Sequence, residues 1–394
     1  MNRIAIGALV LVLGVIPAAG QSLEDLNIQI HGYATQGLLY TTNNNILTTN
    51  SSDGSPAWSE VVVNVSSQPN PKLRVAVQAR YFMLGLIGDQ IILDWAAADY
   101  KYNEKFGVRF GKVKTPLGLL NETQDIDPSY QWALLPQGVY PLMSRTSNMA
   151  HYGGVVYGQF NLGPQAGKLE YRAWGGQRQL SSQDGVFLTR REIGLYFPNG
   201  FGGATFGGAL HWKASGNLDG LMLGVSEYRN AGNWRVPIQK AYGTIPGTET
   251  AARVIAPNFF GRYEKNKVMV AAEYNRYPIL AFMDFPTTPP TPTQVVRGDR
   301  RSWYAMATYK VTGKLAVGIY DSQIVDHQVA FTAAKGRYMK DWTLNAKYDF
   351  NQYLYTKVEE HIIGGTDYVY DSIMNPGGLK PTTKLTVFKI GVSF

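Results

Sequence analysis

The chain contains no cysteine. Disulfide bridges and thiolate metal sites are therefore excluded, a usage that suits export into an oxidising compartment. Charge is sparse, with Asp, Glu, Lys and Arg making up 17% of 394 residues. Long apolar runs are missing as well: beyond residue 21 no stretch of 18 apolar residues occurs, so no spanning helix is expected there. Histidine is scarce. None of His31, His151, His211, His327 and His361 stands in a His-x-Ser or metal-ligand spacing. His211 and Ser215 would lie ~13 Å apart along a strand, too far for a base to activate a nucleophile. No glycine-rich phosphate loop follows a strand pattern and opens a helix. The expectation is a protein without cofactor, metal or nucleic-acid partner.

What is present begins with a secretory signature. Residues 1–21 carry Arg3 at the start, an apolar stretch over 4–16, and Pro17-Ala18-Ala19-Gly20 as a small-residue cleavage region. The alternative, a membrane anchor, fails on length. Cleavage removes one of 37 basic residues and leaves 36 against 29 acidic ones, a net charge of +7. The remainder, 22–394, reads as one domain. The whole chain holds 42 Gly, 25 Tyr, 16 Phe and 8 Trp, a mixture that suits curved strands and aromatic girdles at two lipid–water interfaces. A soluble all-β sandwich is the competing reading, and periodicity decides between them.

Val61, Val63 and Val65 alternate with Val62, Asn64 and Ser66, and Gln68-Pro69-Asn70-Pro71 makes a turn. The return strand sets Leu73, Val75, Val77, Ala79 and Tyr81 against Lys72, Arg74, Ala76, Gln78 and Arg80. Trp342, Leu344, Ala346, Tyr348 and Phe350 alternate in the same way with Thr343, Asn345, Lys347 and Asp349. Successive strand side chains point to opposite faces, so each strand has one greasy face and one wet face. Seven short connections, at 67–71, 103–105, 163–167, 216–220, 264–267, 311–314 and 351–353, alternate with eight long ones, near 41–56, 83–89, 115–151, 176–204, 230–253, 277–300, 322–340 and 363–383. Fifteen connections join sixteen strands. The fold class is all-β, a closed antiparallel transmembrane barrel with both termini on the short-turn, periplasmic side. A hairpin of 189–197 with 202–214 would raise the count to eighteen. Pro257 is expected at the loop end of its strand. The proline-rich run from Pro286 to Pro292 is expected to be a surface projection.

The chain ends on a strand, 384–394, with Phe388, Ile390, Val392 and the terminal Phe394 on one face. This end resembles the terminal strand of bacterial outer-membrane barrels, which implies recognition by the barrel-assembly machinery. The connection 115–151 is unusually apolar, with Leu117, Leu119, Leu120, Trp132, Leu134, Leu135, Val139 and Tyr140. Such residues need cover, and a barrel wall can supply it. Its place after the fifth strand, with the runs 111–122 and 135–140, is similar to the inward-folded constriction loop of sixteen-stranded porins, in the branch of the phosphate-selective porins. The resemblance implies an outer-membrane homotrimer in contact with lipid. The stacked basic residues of phosphate-selective members have no counterpart here, since only Arg145 is basic in 115–151.

The loop carries Glu122, Asp125 and Asp127, and strand parity sets Arg74, Arg80 and Arg109 facing them. Two readings stay open: a transverse field across a narrow passage, or charges that pin the loop. Arg172, Lys213 and Lys347 also point inward. Over the strands that can be phased, ten inward cations (with Lys72, Lys168, Lys357 and Lys389) stand against Glu60, Glu170, Asp349 and Glu359, which favours anions. The function expected is a passive channel for small hydrophilic solutes with a mild anion preference. An adhesin-like surface barrel and an outer-membrane hydrolase are the alternatives.

Overall fold

The computed structural model describes residues 26–187, 190–191, 194–240, 245–287, 289, 291–327, 334–367 and 374–394. The expected signal segment, 1–21, lies outside them. The strands are β1 (Gln29–Thr41), β2 (Ser55–Asn70), β3 (Leu73–Leu84), β4 (Ile87–Asn103), β5 (Phe106–Lys114), β6 (Ala150–Gly163), β7 (Gly167–Leu180), β8 (Phe201–Lys213), β9 (Leu221–Asn230), β10 (Trp234–Lys240), β11 (Ile245–Ala251), β12 (Ile255–Lys265), β13 (Val268–Asp284), β14 (Gln294–Lys310), β15 (Leu315–Asp326), β16 (Tyr338–Asp349), β17 (Leu354–Gly365) and β18 (Thr382–Ser393). Strand β9 pairs directly with β12, from Ile255↔Arg229 to Tyr263↔Leu221. Strands β10 and β11 therefore stand outside the ring as a hairpin, joined to it where β11 pairs with the far end of β13. The other sixteen strands form a closed antiparallel barrel, sealed where β1 pairs with β18 on one side and β2 on the other.

The extra pair of strands is not the hairpin of 189–197 with 202–214. Strand β8 pairs with β7 and β9, and among the described residues of 190–200 only Tyr196 bridges, to Gln239. All seven short turns fall where expected. The second long connection does not: β3 and β4 run on until only Gly85 and Leu86 separate them. Likewise β13 and β14 extend outward and shrink 277–300 to a loop of 285–293. Pro257 is the third residue of β12, at its long-loop end, where a missing N–H is tolerated.

Alternation fixes what each face meets. Along β18 exposed and buried residues alternate without a break from Thr382 to Val392. Phe388, Ile390, Val392 and Phe394 are exposed, as are Val61, Val63, Val75, Phe110, Leu210, Phe259, Ile319 and Leu344 around the ring. An apolar band on the outside of a closed barrel has no use for water; it fits hydrocarbon, where a closed ring leaves no unpaired backbone edge. At the seam Gly32 N–H donates to Phe394 O and Phe394 N–H to Gly32 O, both at 3.0 Å. A Cβ on Gly32 would lie 2.4 Å from Val62 O and 2.7 Å from the Phe394 ring, so the closing contact needs glycine.

The lumen is not uniformly wet. Leu39, Trp58, Phe82, Leu84, Ile324, Met339, Ile363, Leu385 and Val387 point inward and pack on Ile46 and Leu47 of the first loop and Leu134 of the third. A second cluster joins Leu120, Trp132 and Tyr140 of that loop to Ala271, Tyr304, Met306 and Tyr320.

Candidate functional site

The segment 115–149 leaves β5 and folds into the barrel rather than away from it. Its neck is pinched by Thr115 N–H donating to Met149 O at 2.9 Å. Asn121 holds both sides, donating to Thr115 O at 2.8 Å and Asn148 O at 2.9 Å. At Gly118 the chain turns through φ +67°, and a Cβ there would meet Glu273 Oε1 at 2.1 Å. The turn lets Gly118 N–H donate to Ser226 Oγ at 2.8 Å. The apolar residues find their cover: Leu120, Trp132, Leu134 and Tyr140 are buried against the wall.

Each of the three loop acids meets wall cations. Glu122 lies 3.1 Å from Arg172 Nε and 3.4 Å from Arg109 Nη1. Asp125 lies 2.6 Å from Lys114 Nζ and accepts from Gln78 at 2.9 Å and Trp95 at 3.0 Å. Asp127 sits between Lys357 Nζ at 3.0 Å and Lys389 Nζ at 2.5 Å, with Tyr355 Oη at 2.7 Å. Burial opposes ionisation of Asp127, yet the two ammonium groups outweigh it and hold the carboxyl below its usual range. Lys357 and Lys389 stand directly opposite each other in the β17–β18 register. Like charges so placed repel, and the loop carboxylate between them is what makes the pair tolerable.

Further anchors involve no loop acid. Glu359 accepts Ala133 N–H at 2.7 Å and Leu134 N–H at 2.9 Å. It is oriented by His361, whose Nε2 lies 3.3 Å away while Nδ1 faces Asp341 at 3.1 Å. Glu273 takes Tyr140 Oη–H at 2.6 Å, Tyr304 Oη–H at 3.0 Å and Leu119 N–H at 3.4 Å. Burial, then the Glu273 carboxylate, keeps the Tyr140 hydroxyl protonated well above its ordinary range. Arg145 forks onto Asp94 at 3.1 and 3.0 Å; its guanidinium stays charged despite burial because Asp94 is in contact.

Two of the expected wall partners do not meet the loop acids. Arg80 is buried against Glu60 at 2.6 Å, and Arg74 reaches Ser66 Oγ at 3.5 Å and no acid among the described residues. Lys213 binds Glu170 at 2.5 Å, and Lys347 reaches Pro128 O at 2.8 Å. The inward balance of ten cations to four acids is also corrected. Asp94, Asp99, Glu273 and Asp341 are inward as well, and so are Lys114 and Arg178, each bonded to the loop or to another inward residue. Parity missed Asp94 and Trp95 together, because a bulge lies where Gln78 pairs with Trp95 but Ala79 with Leu93.

Between the loop and the wall of β1–β5, at the short-turn end, lies a cavity of about 530 Å³. Arg74, Trp95, Asp99, Arg109, Lys114 and Glu122 are among its lining.

Solved structures share this fold. The outer-membrane channel DcaP of Acinetobacter baumannii matches at 9% identity and a TM-score of 0.54, over 96% of this chain and 100% of that one. An anion-selective porin from Comamonas acidovorans matches at 11% identity and a TM-score of 0.55, over 93% and 99%. OmpF of Salmonella typhi, in complex with daunomycin, matches at 15% identity and a TM-score of 0.56, over 95% and 100%. The chain has the porin fold. No protein-family model and no curated protein sequence matches it. Within this porin fold 115–149 is the third connection at the long-loop end, and β10–β11 ornaments the fifth.

Proposed function

We propose that the protein is an outer-membrane porin of a Gram-negative-type bacterium, a passive diffusion channel for small hydrophilic solutes with a mild preference for anions. The observation that carries this is the charged cavity beneath a loop held across the lumen by wall cations. Its three lining acids, Asp99, Glu122 and Asp125, are each in an ion pair. Arg74 lines the same cavity and makes no ion pair among the described residues. The lining sets three cations, Arg74, Arg109 and Lys114, against those three acids and the terminal carboxylate of Phe394. The anion preference therefore rests on Arg74, the lining cation outside an ion pair, whose field a low-dielectric wall focuses on counter-ions. The preference is mild because Arg80, Arg109, Arg172, Lys213, Lys347, Lys357 and Lys389 all have carboxylate partners. The channel works without cofactor or energy coupling. It assembles as a homotrimer, as the likeness to porins implies, and Phe388, Ile390, Val392 and Phe394 present the assembly signal.

The hydrolase alternative gains nothing from the most acid-rich histidine. Thr343 and Asp341 both crowd His361 Nδ1, at 2.9 and 3.1 Å, whereas a catalytic triad needs them on opposite ring nitrogens. The test is a reversal potential in a planar bilayer under a salt gradient. The sign for anions is expected, shrinking as salt shortens the Debye length from ~10 Å at 0.1 M, and Arg74→Gln should move it toward cations. A strongly cation-selective wild type would refute the preference.

A further inference from the structure

A second, much smaller cavity of about 40 Å³ lies between the third loop and the wall of β1–β3, lined by Trp58, Glu60, Arg80, Trp132, Arg145 and Lys389, among others. Three of these residues each leave one buried polar atom without a partner: Arg80 Nη2, Trp58 Nε1 and Trp132 Nε1. All three are donors, and none of them can accept. No lining residue has an unpartnered acceptor among the described buried atoms. A water molecule brings two protons, which would have to share acceptors that already have partners, such as the Glu60 and Asp127 carboxylates, so a cluster whose free groups are all donors suits it poorly. An acceptor without protons suits it well.

Charge leads to the same guest. The lining holds three cations, Arg80, Arg145 and Lys389, against two anions, Glu60 and Asp127. Adding their own ion-pair partners, Asp94 and Lys357, makes four against three, so one positive charge remains. The cations are dry: Arg80 is 1% exposed and stacks over Phe82 at 3.7 Å, and Lys389 lies 4.5 Å from the Trp58 ring centroid. An uncompensated buried charge is costly, and one monovalent anion cancels it. The volume exceeds the ~10–15 Å³ that a single water needs. It is too small for a phosphate or carboxylate solute.

We propose that this cavity is a halide-sized anion site, in which a single chloride-like ion is held by Arg80, Trp58 and Trp132 and locks the third loop to the wall. The site goes beyond permeation: a channel that conducts without it, or a site that binds in a silent barrel, would separate the two claims. The test is anomalous diffraction from crystals of the full barrel grown in bromide. A peak within hydrogen-bond distance of Arg80 Nη2 and both indole nitrogens is expected. It should be absent in the double variant Trp58→Phe, Trp132→Phe, which keeps the rings and removes two donors. Thermal unfolding of wild-type protein in detergent supplies a second readout that needs no variant. Sodium bromide should raise the midpoint above that in sodium gluconate, a bulky anion, at equal ionic strength. No peak in the cavity, a peak that survives in the double variant, or equal midpoints in the two salts would each overturn the proposal.

Discussion

Asp127→Asn keeps the shape of the side chain and removes the charge that sits between two buried lysines. Lys357 and Lys389 have side chains only 0% and 2% exposed, and face each other across the β17–β18 register. Removing one partner of a buried ion pair costs ~3–5 kcal/mol, because the charge left behind is unpaired. The loop can relieve that cost by leaving its seat, since doing so admits water to both ammonium groups. The barrel wall, held by its own ladders, has no such need to open. At ~1.4 kcal/mol per decade the opened fraction should rise roughly two to four decades. Protease added to folded protein in detergent should then cut within 115–149 far faster than in wild type, with the remaining barrel intact by mass. Adding Lys357→Met and Lys389→Met should restore resistance, since apolar replacements of a buried ionic cluster are well tolerated. The ordinary acid range should not mimic the substitution. A carboxyl held below its usual range contributes fully above its unfolded value of ~3.9, and the contribution fades only as pH falls below that. A loop as resistant in Asp127→Asn as in wild type would refute the reasoning.

Asp184, in the loop after β7, is buried, and burial raises its carboxyl to about 6. The folded state then binds a proton that the unfolded state releases above ~3.9, so local stability should fall by ~3 kcal/mol as pH rises from 4 to 6 and stay flat above. Amide exchange over 181–187 should be slower at pH 4.5 than at pH 7 after correction for intrinsic rates, and Asp184→Asn should abolish the difference. At the seam, deletion of Phe394 removes both hydrogen bonds to Gly32. It should lower the yield of heat-modifiable barrel in the outer membrane far more than Ser393→Ala, and equal yields would contradict the role given to this end.

Much of the fold was legible because a barrel strand meets lipid on one side and a wet or packed lumen on the other. Val61, Val63 and Val65 or Phe388, Ile390 and Val392 announce that by period alone, and the seven short turns follow from it. What period cannot supply is depth and long-range pairing. It placed Arg80 and Lys389 inward but not at the height of Glu60 and Asp127. It also cannot survive an inserted residue, as the bulge at Asp94 shows by turning Trp95 inward. The β10–β11 hairpin had a signal in Trp234, Val236 and Ile238, which are buried while Arg235 and Pro237 are exposed. A mid-strand proline such as Pro237 masks that signal, and it is tolerated because β10 lies at the edge of its ribbon, outside the ring. The apolar third loop was recognised as needing cover. The anchors at Glu273 and Glu359 were not, because an isolated inward carboxylate looks the same whether it faces water or a loop.

The most direct test of the central claim is single-channel current from the folded protein in a planar bilayer. Discrete conductance steps are expected from wild type, and larger steps when 119–140 is replaced by a short Gly-Ser linker. A well-folded wild type that gives no steps, or a shortened loop that leaves step size unchanged, would contradict a channel narrowed by that loop.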